Sequence, residues 1–184
     1  GQYPTSYRRD MQMRTQHRQL GVGLMEVLVA LLILSIGVMG FIALQYRAVE
    51  ATAESSARIQ AINLARDLAE RMRVNRGAEN VYIDQLNTAN NQINSSVDCF
   101  EFDCQSNQLA DFDVAQIARK ARTTGMTVNI LDCQGNADGR HCIYVAWGDT
   151  AATAAASEAS PEAGDCTSGT SYAPNSTCLI MEVY

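Results

Sequence analysis

Residues 21–46 read GVGLMEVLVALLILSIGVMGFIALQY, and they form the longest apolar segment of the chain. Its last twenty residues, from Val27 to Tyr46, carry no charge, and most of them are apolar. A helix rises about 1.5 Å per residue, so the run covers about 30 Å, the thickness of the hydrocarbon core of a bilayer. The sequence therefore predicts a helix that can span a membrane.

The charged residues on either side of this run orient it. Arg14, His17 and Arg18 precede it closely, whereas the first cation after it is Arg47, which acidic residues soon follow. Cytoplasmic flanks of membrane-spanning helices carry an excess of Lys and Arg. We therefore expect a cytoplasmic N-terminus and a chain whose bulk lies on the other side of the membrane.

A second helical pattern continues from the apolar run, because residues 46–76 contain neither Pro nor Gly. Its apolar residues recur at the spacing of one helix face: Ala61, Leu64, Ala65, Leu68 and Met72. Its charged residues lie on the opposite face, where we expect mostly solvent: Arg58, Arg66, Asp67, Glu70, Arg71 and Arg73. Arg66–Glu70 and Asp67–Arg71 have the i,i+4 spacing of supporting ion pairs. The sequence predicts one helix from about residue 22 to about residue 76.

Glu26 lies at the edge of the apolar run, where an ionised carboxylate costs free energy and therefore needs a reason. Two interpretations remain open. The carboxylate can extend to the lipid headgroups. Alternatively, a cut after Gly21 creates a new amine on Val22, one helical turn from Glu26, and this positive charge is a natural partner for the carboxylate.

The order of a basic leader, Gly21, Glu26 and an uninterrupted apolar run resembles the class III prepilin signal of type IV pilins and of type II secretion pseudopilins. The resemblance implies that a prepilin peptidase removes residues 1–21. It also implies that Val22 becomes N-methylated, and that Glu26 pairs with the N-terminal amine of a neighbouring subunit during assembly. Val22 stands where the family more often has Phe.

Residues 35–45 and 61–76 are also similar to minor pilins of the PilV family, the type IV pilus modification proteins, as are Cys99, Cys104 and residues 110–116. This similarity implies a minor pilin held in the inner membrane and then built into an extracellular filament. The implied partners are other minor and major pilins, the inner-membrane assembly machinery and a tip adhesin. The implied roles are priming of pilus assembly, twitching motility and adhesion.

Two other interpretations compete with the minor pilin. A type II secretion pseudopilin shares every feature of the N-terminal signal. A plain membrane-anchored periplasmic domain has no filament role, keeps its leader and does not depend on Glu26.

The expected fold class is α+β and pilin-like, with a long N-terminal helix packed on a small antiparallel sheet domain with disulfides. Residues 1–21 are the expected leader, and residues 22–48 are the transmembrane and filament-core half of the helix. Residues 49–184 form the expected periplasmic or extracellular head domain. We expect translation to begin at Met11 or Met13, which gives a compact basic leader.

Small residues inside the apolar run bear on the continuity of the helix. Ala43 stands where major pilins usually carry a helix-breaking Pro, so no break is predicted there. Gly37 and Gly40 either soften the helix or permit close contact between helices, and close contact is the favoured interpretation.

The first part of the head domain shows little periodicity. Residues 77–108 predict a connecting loop with one short helical turn. A helix is expected over about residues 114–123, with Asp111 or Asp113 as its cap and Gly125 as its stop.

The rest of the head domain predicts a small sheet. Residues 126–133 and 141–148 are β-rich runs on either side of a polar turn, which is the pattern of a hairpin. Residues 178–184 predict a third strand. Residues 150–164, rich in Ala, Ser, Thr and Glu, lack a burial pattern and predict an exposed, mobile loop.

All six cysteines lie in the C-terminal half, and an even number in a small extracellular domain indicates disulfides. Six cysteines permit 15 sets of pairs. The nearest-neighbour scheme is our hypothesis: Cys99 with Cys104, Cys133 with Cys142, and Cys166 with Cys178.

Composition argues against several other classes of function. The net charge of −6 becomes −9 without the leader, which contains four arginines and one aspartate, and Lys120 is the only lysine. A nucleic-acid partner would need clustered cations, so none is expected. His17 and His141 are the only histidines, and no Cys-x-x-Cys pair occurs. We therefore predict no catalytic residues, no metal and no cofactor.

The turn of the predicted hairpin contains residues that could suggest a metal site. Asp132, Asn136, Asp138 and Gly139 resemble a fragment of a calcium loop, but the spacing differs from that of an EF-hand and no terminal Glu follows. A polar turn explains them better. Trp147 is expected to pack in the core.

Overall fold

The computed structural model describes residues 1, 21, 23–88, 92–155 and 164–183. Its helices are α1 (Leu24–Val74), α2 (Glu79–Asn87) and α3 (Ser106–Thr123), with a short 3-10 helix at Arg76–Ala78 between α1 and α2. Its strands are β1 (Met126–Asp132), β2 (His141–Trp147), β3 (Ala154–Ala155), β4 (Thr167–Ser168), β5 (Ser171–Tyr172) and β6 (Cys178–Glu182).

Helix α1 confirms the prediction of a single long helix. It contains 51 residues and runs without a break through Gly37, Gly40 and Ala43. Its buried residues are the predicted apolar stripe: Ala61, Leu64, Ala65, Leu68 and Met72. The 3.6-residue period of an α-helix places these residues on one face, and that face joins the core of the head domain.

The chain divides into two compact units, residues 1–48 and residues 49–184. In the first unit, every described side chain of α1 is exposed. The second unit contains the rest of α1 and all the other elements. The hydrophobic core and all three disulfides therefore lie in the second unit.

Residues 77–108 were expected to form a connecting loop with one short helical turn, but they contain helix α2. This helix of nine residues buries Tyr82 and Leu86, and Ala78 is buried just before it. The spacing of these three residues, four apart, is helical, but it covers barely two turns. Such a short pattern is easily missed in a polar segment.

Helix α3 begins at Ser106, eight residues earlier than expected, and its cap is neither Asp111 nor Asp113. The cap is Gln105, which forms a capping box with Gln108, and Gln108 Oε1 accepts a hydrogen bond of 3.0 Å from the Gln105 backbone N–H. Gln is not among the preferred N-cap residues, so the start of this helix has a weak signal in the sequence. Gly125, with φ of 69°, follows the helix as its predicted stop.

Strands β1, β2 and β6 form an antiparallel sheet with β2 in the centre, which confirms the predicted hairpin and last strand. The register pairs Val128 with Val145 and Tyr144 with Ile180. This sheet, the long helix and the disulfides confirm the α+β fold class.

Central strand β2 is buried on both faces. Ile143, Val145 and Trp147 face the helices and join the main core. Tyr144 and Ala146 alternate with them and pack into a smaller cluster on the other face. Trp147 is a core residue, as expected, and its indole N–H donates a 3.2 Å hydrogen bond to Glu54 of α1.

The smaller cluster is built around cysteines, which lie between the sheet and the short strands β3, β4 and β5. The disulfides are the nearest-neighbour pairs: Cys99–Cys104, Cys133–Cys142 and Cys166–Cys178. Cys133 and Cys142 adjoin the turn of the hairpin, and Cys178 opens β6. The two later disulfides therefore stabilise the face of the sheet away from the helices.

The prediction of an exposed loop over residues 150–164 was wrong for the first part of that range. Ala152 and Ala155 are buried, and β3 pairs with β4 in parallel. Asn129 of β1 donates a hydrogen bond of 3.3 Å to the Ala152 carbonyl. Residues 156–163 of this tract lie outside the described residues.

Candidate functional site

The predicted cleavage site lies just before α1 begins. Gly21 is exposed and outside the helix, and the first helical residue is Leu24. The Gly23 carbonyl accepts the first helical hydrogen bonds, from the backbone N–H groups of Glu26 (2.9 Å) and Val27 (3.3 Å). Val22, the predicted methylated residue, and residues 2–20 of the leader lie outside the described residues.

Glu26 is the third residue of α1 and the only acidic residue of its first turn. The aligned peptide dipoles of a helix place a partial positive charge at its N-terminus, which favours a carboxylate there. The side chain is exposed. Its predicted partner, the amine at Val22, lies outside the described residues, so the pairing stays a prediction.

Residues 24–46 form an exposed apolar surface. The most apolar 18-residue window of α1 has a mean hydropathy of 2.9 and no buried residue. Large apolar side chains are exposed at consecutive positions, as at Leu31, Leu32, Ile33 and Leu34, so the apolar surface surrounds the helix. The helix has the length and the composition to cross a membrane.

The Ser35 hydroxyl within this surface is satisfied inside the helix. The Ser35 hydroxyl donates to the Leu31 carbonyl at 2.7 Å, so it needs no partner from lipid or from another helix. A Cβ atom added at Gly37 or Gly40 would meet no atom within 4 Å. Both glycines leave the backbone open to approach, and their contact with another helix stays a prediction.

In the head domain, Asp113 joins the three helices. Arg71 of α1 donates from Nη1 to Asp113 Oδ1 at 2.6 Å, and the Tyr82 hydroxyl of α2 donates to Asp113 Oδ2 at 2.6 Å. Asp113 lies within α3 and is only 6% exposed. A buried carboxylate needs such partners, because a lone charge in the interior is costly.

Two side branches extend these contacts. Asp67 accepts hydrogen bonds from Arg71 Nε at 2.8 Å and from Lys120 Nζ at 3.1 Å. Asn75 donates to the Ser106 carbonyl at 2.7 Å and accepts a hydrogen bond from the Ser106 hydroxyl. We call these residues the helix-linking network: Asp67, Arg71, Asn75, Tyr82, Ser106, Asp113 and Lys120.

The network corrects part of the expected solvated face of α1. Asp67 and Arg71 form the predicted i,i+4 pair, but both are partly buried and the pair continues into α3. Among the described residues, no ion pair joins Arg66 to Glu70. The sequence did not reveal the network, because Arg71 and Asp113 are 42 residues apart.

The surroundings of the network shift the pKa values of its members. Burial, and then the hydrogen bond to Asp113, raises the pKa of Tyr82 well above its ordinary value of 10.0, so its hydroxyl remains a donor at neutral pH. Partial burial opposes the charge of Asp67, but its hydrogen bonds with Arg71 and Lys120 prevail and lower its pKa below 3.8. Asp67 therefore stays ionised at neutral pH.

A polar cleft of about 400 Å³ lies beside the network, between α1 and α3. Its lining residues are Asp67, Arg71, Gln116, Ile117, Arg119, Lys120 and Thr123. Several of these charges already pair with one another, and Ile117 is buried. In the part of the chain that the structure describes, no group of three or more His, Cys, Asp or Glu residues could hold a metal ion.

The polar turn of the hairpin has ionic contacts of its own. Arg140 pairs with Asp138 at 2.6 Å and with Glu182 of β6 at 2.5 Å, and His141 Nδ1 lies 3.2 Å from Asp132. These contacts account for the acidic residues that resembled a fragment of a calcium loop.

Comparison with protein families gives one match. Residues 43–115 match the family model described as Tt1218-like, type IV pilin Tt1218. The match supports the type IV pilin family. Pilins are structural proteins that assemble with one another. No curated protein and no solved structure matches the chain.

The span of the pilin match is informative in itself. It covers the end of the apolar run, the amphipathic half of α1, α2 and the first half of α3. Every residue of the helix-linking network except Lys120 lies within it. Gly21, Val22 and Glu26 precede it, so the cleavage, methylation and pairing sites stay predictions.

Proposed function

We propose that this chain is a minor pilin of a type IV pilus, of the PilV kind, cleaved after Gly21 by a prepilin peptidase. The observation that carries the proposal is the exposed apolar half of α1. Burying one large apolar side chain contributes about 1.5–3 kcal/mol, so a helix with more than a dozen of them requires lipid or other helices around it. The family match to residues 43–115 supports a pilin.

In the proposed mechanism, α1 exchanges one apolar environment for another. It first spans the inner membrane with its N-terminus in the cytoplasm, and then packs among the helices of other pilins in the extracellular filament. Lipid tails and helix surfaces are about equally apolar, so this exchange alone provides little driving force. A polar contact must therefore make the filament position specific.

We propose that Glu26 makes this contact. Cleavage after Gly21 and methylation of Val22 leave a positive charge at the new N-terminus, and Glu26 of one subunit pairs with that charge on its neighbour. Two opposite charges in a medium of low dielectric constant attract strongly, and either one left alone there is costly. The pair thereby favours correctly placed subunits over misplaced ones.

In this proposal the partners of the subunit contact its head domain. They include other minor and major pilins, the inner-membrane assembly machinery and a tip adhesin. In this proposal the protein helps to prime pilus assembly, and it supports twitching motility and adhesion through the filaments to which it belongs.

The first experiment is N-terminal sequencing of the protein recovered from sheared surface filaments. The expected sequence begins at a methylated Val22. Recovery with the basic leader still attached would contradict the proposal. If the mature protein stayed in the cell envelope and secretion depended on it, the type II pseudopilin would be the better assignment.

The second experiment replaces Glu26 by Gln, which keeps the shape of the side chain and removes its charge. We expect Glu26→Gln to reduce the amount of the protein in sheared filaments by about tenfold or more, because the neighbour's amine loses its partner. Cleavage after Gly21, measured on the membrane fraction, should continue. Glu79→Gln, which removes an exposed charge from the head domain, is the matched control and should leave incorporation unchanged.

A further inference from the structure

A short disulfide-closed loop displays two aromatic side chains to solvent. We call residues 98–104, which include the Cys99–Cys104 disulfide, the Phe loop. Within it, Phe100 is 82% exposed and Phe102 is 63% exposed. Aromatic residues are enriched in protein–protein interfaces and contribute much of their binding energy.

The backbone of the Phe loop and the Phe100 ring are held by contacts within the head domain. The disulfide closes the loop, and Asp98 accepts hydrogen bonds from the backbone N–H groups of Phe100, Glu101 and Phe102. The Phe100 ring meets the buried Phe112 ring edge-on, with their centroids 5.0 Å apart. A loop that is already ordered loses little entropy on binding, so its aromatic residues are suited to docking.

The charge around the rings indicates the chemistry of the partner. Glu101 and Asp103 are exposed and alternate with the two Phe residues. The surrounding stretch, residues 77–118, contains seven acidic residues and no Lys, Arg or His. An anionic lipid surface would repel this loop. A complementary protein surface needs an apolar floor and a cationic rim.

The head domain itself contains such a surface. A groove of about 390 Å³ lies between α1 and β6. Ala69, Met181 and Val183 provide partly exposed apolar side chains, and Arg66 and Arg73 are exposed cations at its side.

The acidic residues of the groove do not cancel the charge of its two arginines, so its rim is cationic. Glu182 is paired with Arg140 at 2.5 Å, so Glu70 is the acidic residue left to offset the two arginines. We call this surface the α1/β6 groove.

We infer that the Phe loop of one copy of this chain docks in the α1/β6 groove of a second copy. Phe100 and Phe102 would cover the apolar floor, and Glu101 would meet Arg66 or Arg73. The two surfaces differ, so the contact is heterologous, and its repetition from copy to copy gives a ring or a helical filament. The inference concerns the head domain alone and does not depend on the proposed role in a pilus.

The test uses the full-length protein in its membrane, with a photoreactive phenylalanine analogue in place of Phe102. Irradiation is expected to give a cross-linked dimer of this chain, with the cross-link mapped by mass spectrometry to residues 66–73 or 181–183. A cross-link to lipid, to another protein or to a different region of this chain would overturn the inference. So would the absence of any cross-link.

Charge exchange checks the same contact independently. In the photoreactive protein, Arg73→Glu and Glu101→Arg should each reduce the dimer yield about tenfold, and the double variant should restore it. Arg122→Glu changes an exposed arginine that does not line the groove, and should leave the yield unchanged. Trp147 fluorescence reports whether each variant is folded. Equal yields from the folded single variants, or no recovery in the double variant, would contradict the proposed docking.

Discussion

The two halves of α1 have the same backbone geometry but very different surroundings. From residue 24 to residue 48, every described side chain is exposed, although most of them are apolar. Farther along the helix, Leu64, Leu68 and Met72 are among the residues buried in the head domain. Secondary structure alone therefore does not determine what a helix packs against.

The distribution of apolar residues around the helix sets its environment. In the first half they lie on all sides, and a single small domain could not cover them, so lipid or other subunits must do so. In the second half they form one stripe, which the chain covers with its own sheet and helices. One helix thus carries an apolar surface that the described residues leave exposed, followed by one that the head domain covers.

The largest difference between the two halves of α1 is expected when the same substitution is made in both. Leu68→Ala should lower the free energy of unfolding of the head domain by about 2–5 kcal/mol, because Leu68 is fully buried and its loss leaves a cavity. Leu32→Ala removes a side chain that is 62% exposed and should leave this free energy unchanged. Urea unfolding of the detergent-solubilised protein, followed by the fluorescence of Trp147, measures both. Equal losses would mean that the two halves share one core.

The features that sequence reasoning found have strong local signals. The buried stripe of α1 repeats over three turns, and the hairpin joins two β-rich runs through a polar turn. The nearest-neighbour cysteine pairs close short loops. In each case the residues that interact are close in sequence, so pattern and spacing were enough.

The features that sequence reasoning missed depend on short or distant relations. Strands β3, β4 and β5 have two residues each, too few to show alternation. In the candidate site, Gly21 and Glu26 follow from a local motif, whereas the contact between Arg71 and Asp113 depends on how α1 and α3 pack. A carboxylate in the middle of an otherwise apolar helical face, as at Asp113, is the signal that could have indicated it.

Substitutions in the helix-linking network test whether charges on the second half of α1 belong to the core. Arg71→Ala should cost about 1–3 kcal/mol, since it deprives the buried Asp113 of its cation. Arg73→Ala removes an exposed charge two residues away and should cost less than about 0.5 kcal/mol.

A double-mutant cycle of Arg71→Ala with Asp113→Asn isolates the contact itself. We expect a coupling energy of about 0.5–3 kcal/mol in urea unfolding, because the two side chains share a short hydrogen bond. Strictly additive losses would show that the two residues act independently and that the charged face of α1 is only solvated.

The smallest expected effect concerns Asp67, at the exposed edge of the network. Its hydrogen bonds with Arg71 and Lys120 hold its pKa below 3.8 in the folded protein, despite partial burial. A carboxylate with a depressed pKa stabilises the fold above its unfolded pKa, and this contribution is lost as the pH falls through the folded pKa. Because Asp67 and Lys120 are partly exposed, water screens the pairs and the contribution at pH 7 is about 1 kcal/mol or less.

Asp67→Asn should therefore cost most at neutral pH, and its difference from the unmodified protein should shrink once the pH falls below about 4. Urea midpoints of both proteins at pH 7, 5 and 3 measure this, and 1 M NaCl at pH 7 should reduce the same difference by screening. Lys120→Met, which keeps the aliphatic chain and removes one of the two cations, should give a smaller loss at pH 7. A difference that stayed constant from pH 7 to pH 3 would mean that Asp67 acts through its shape and not through its charge, and would place it outside the ionic part of the network.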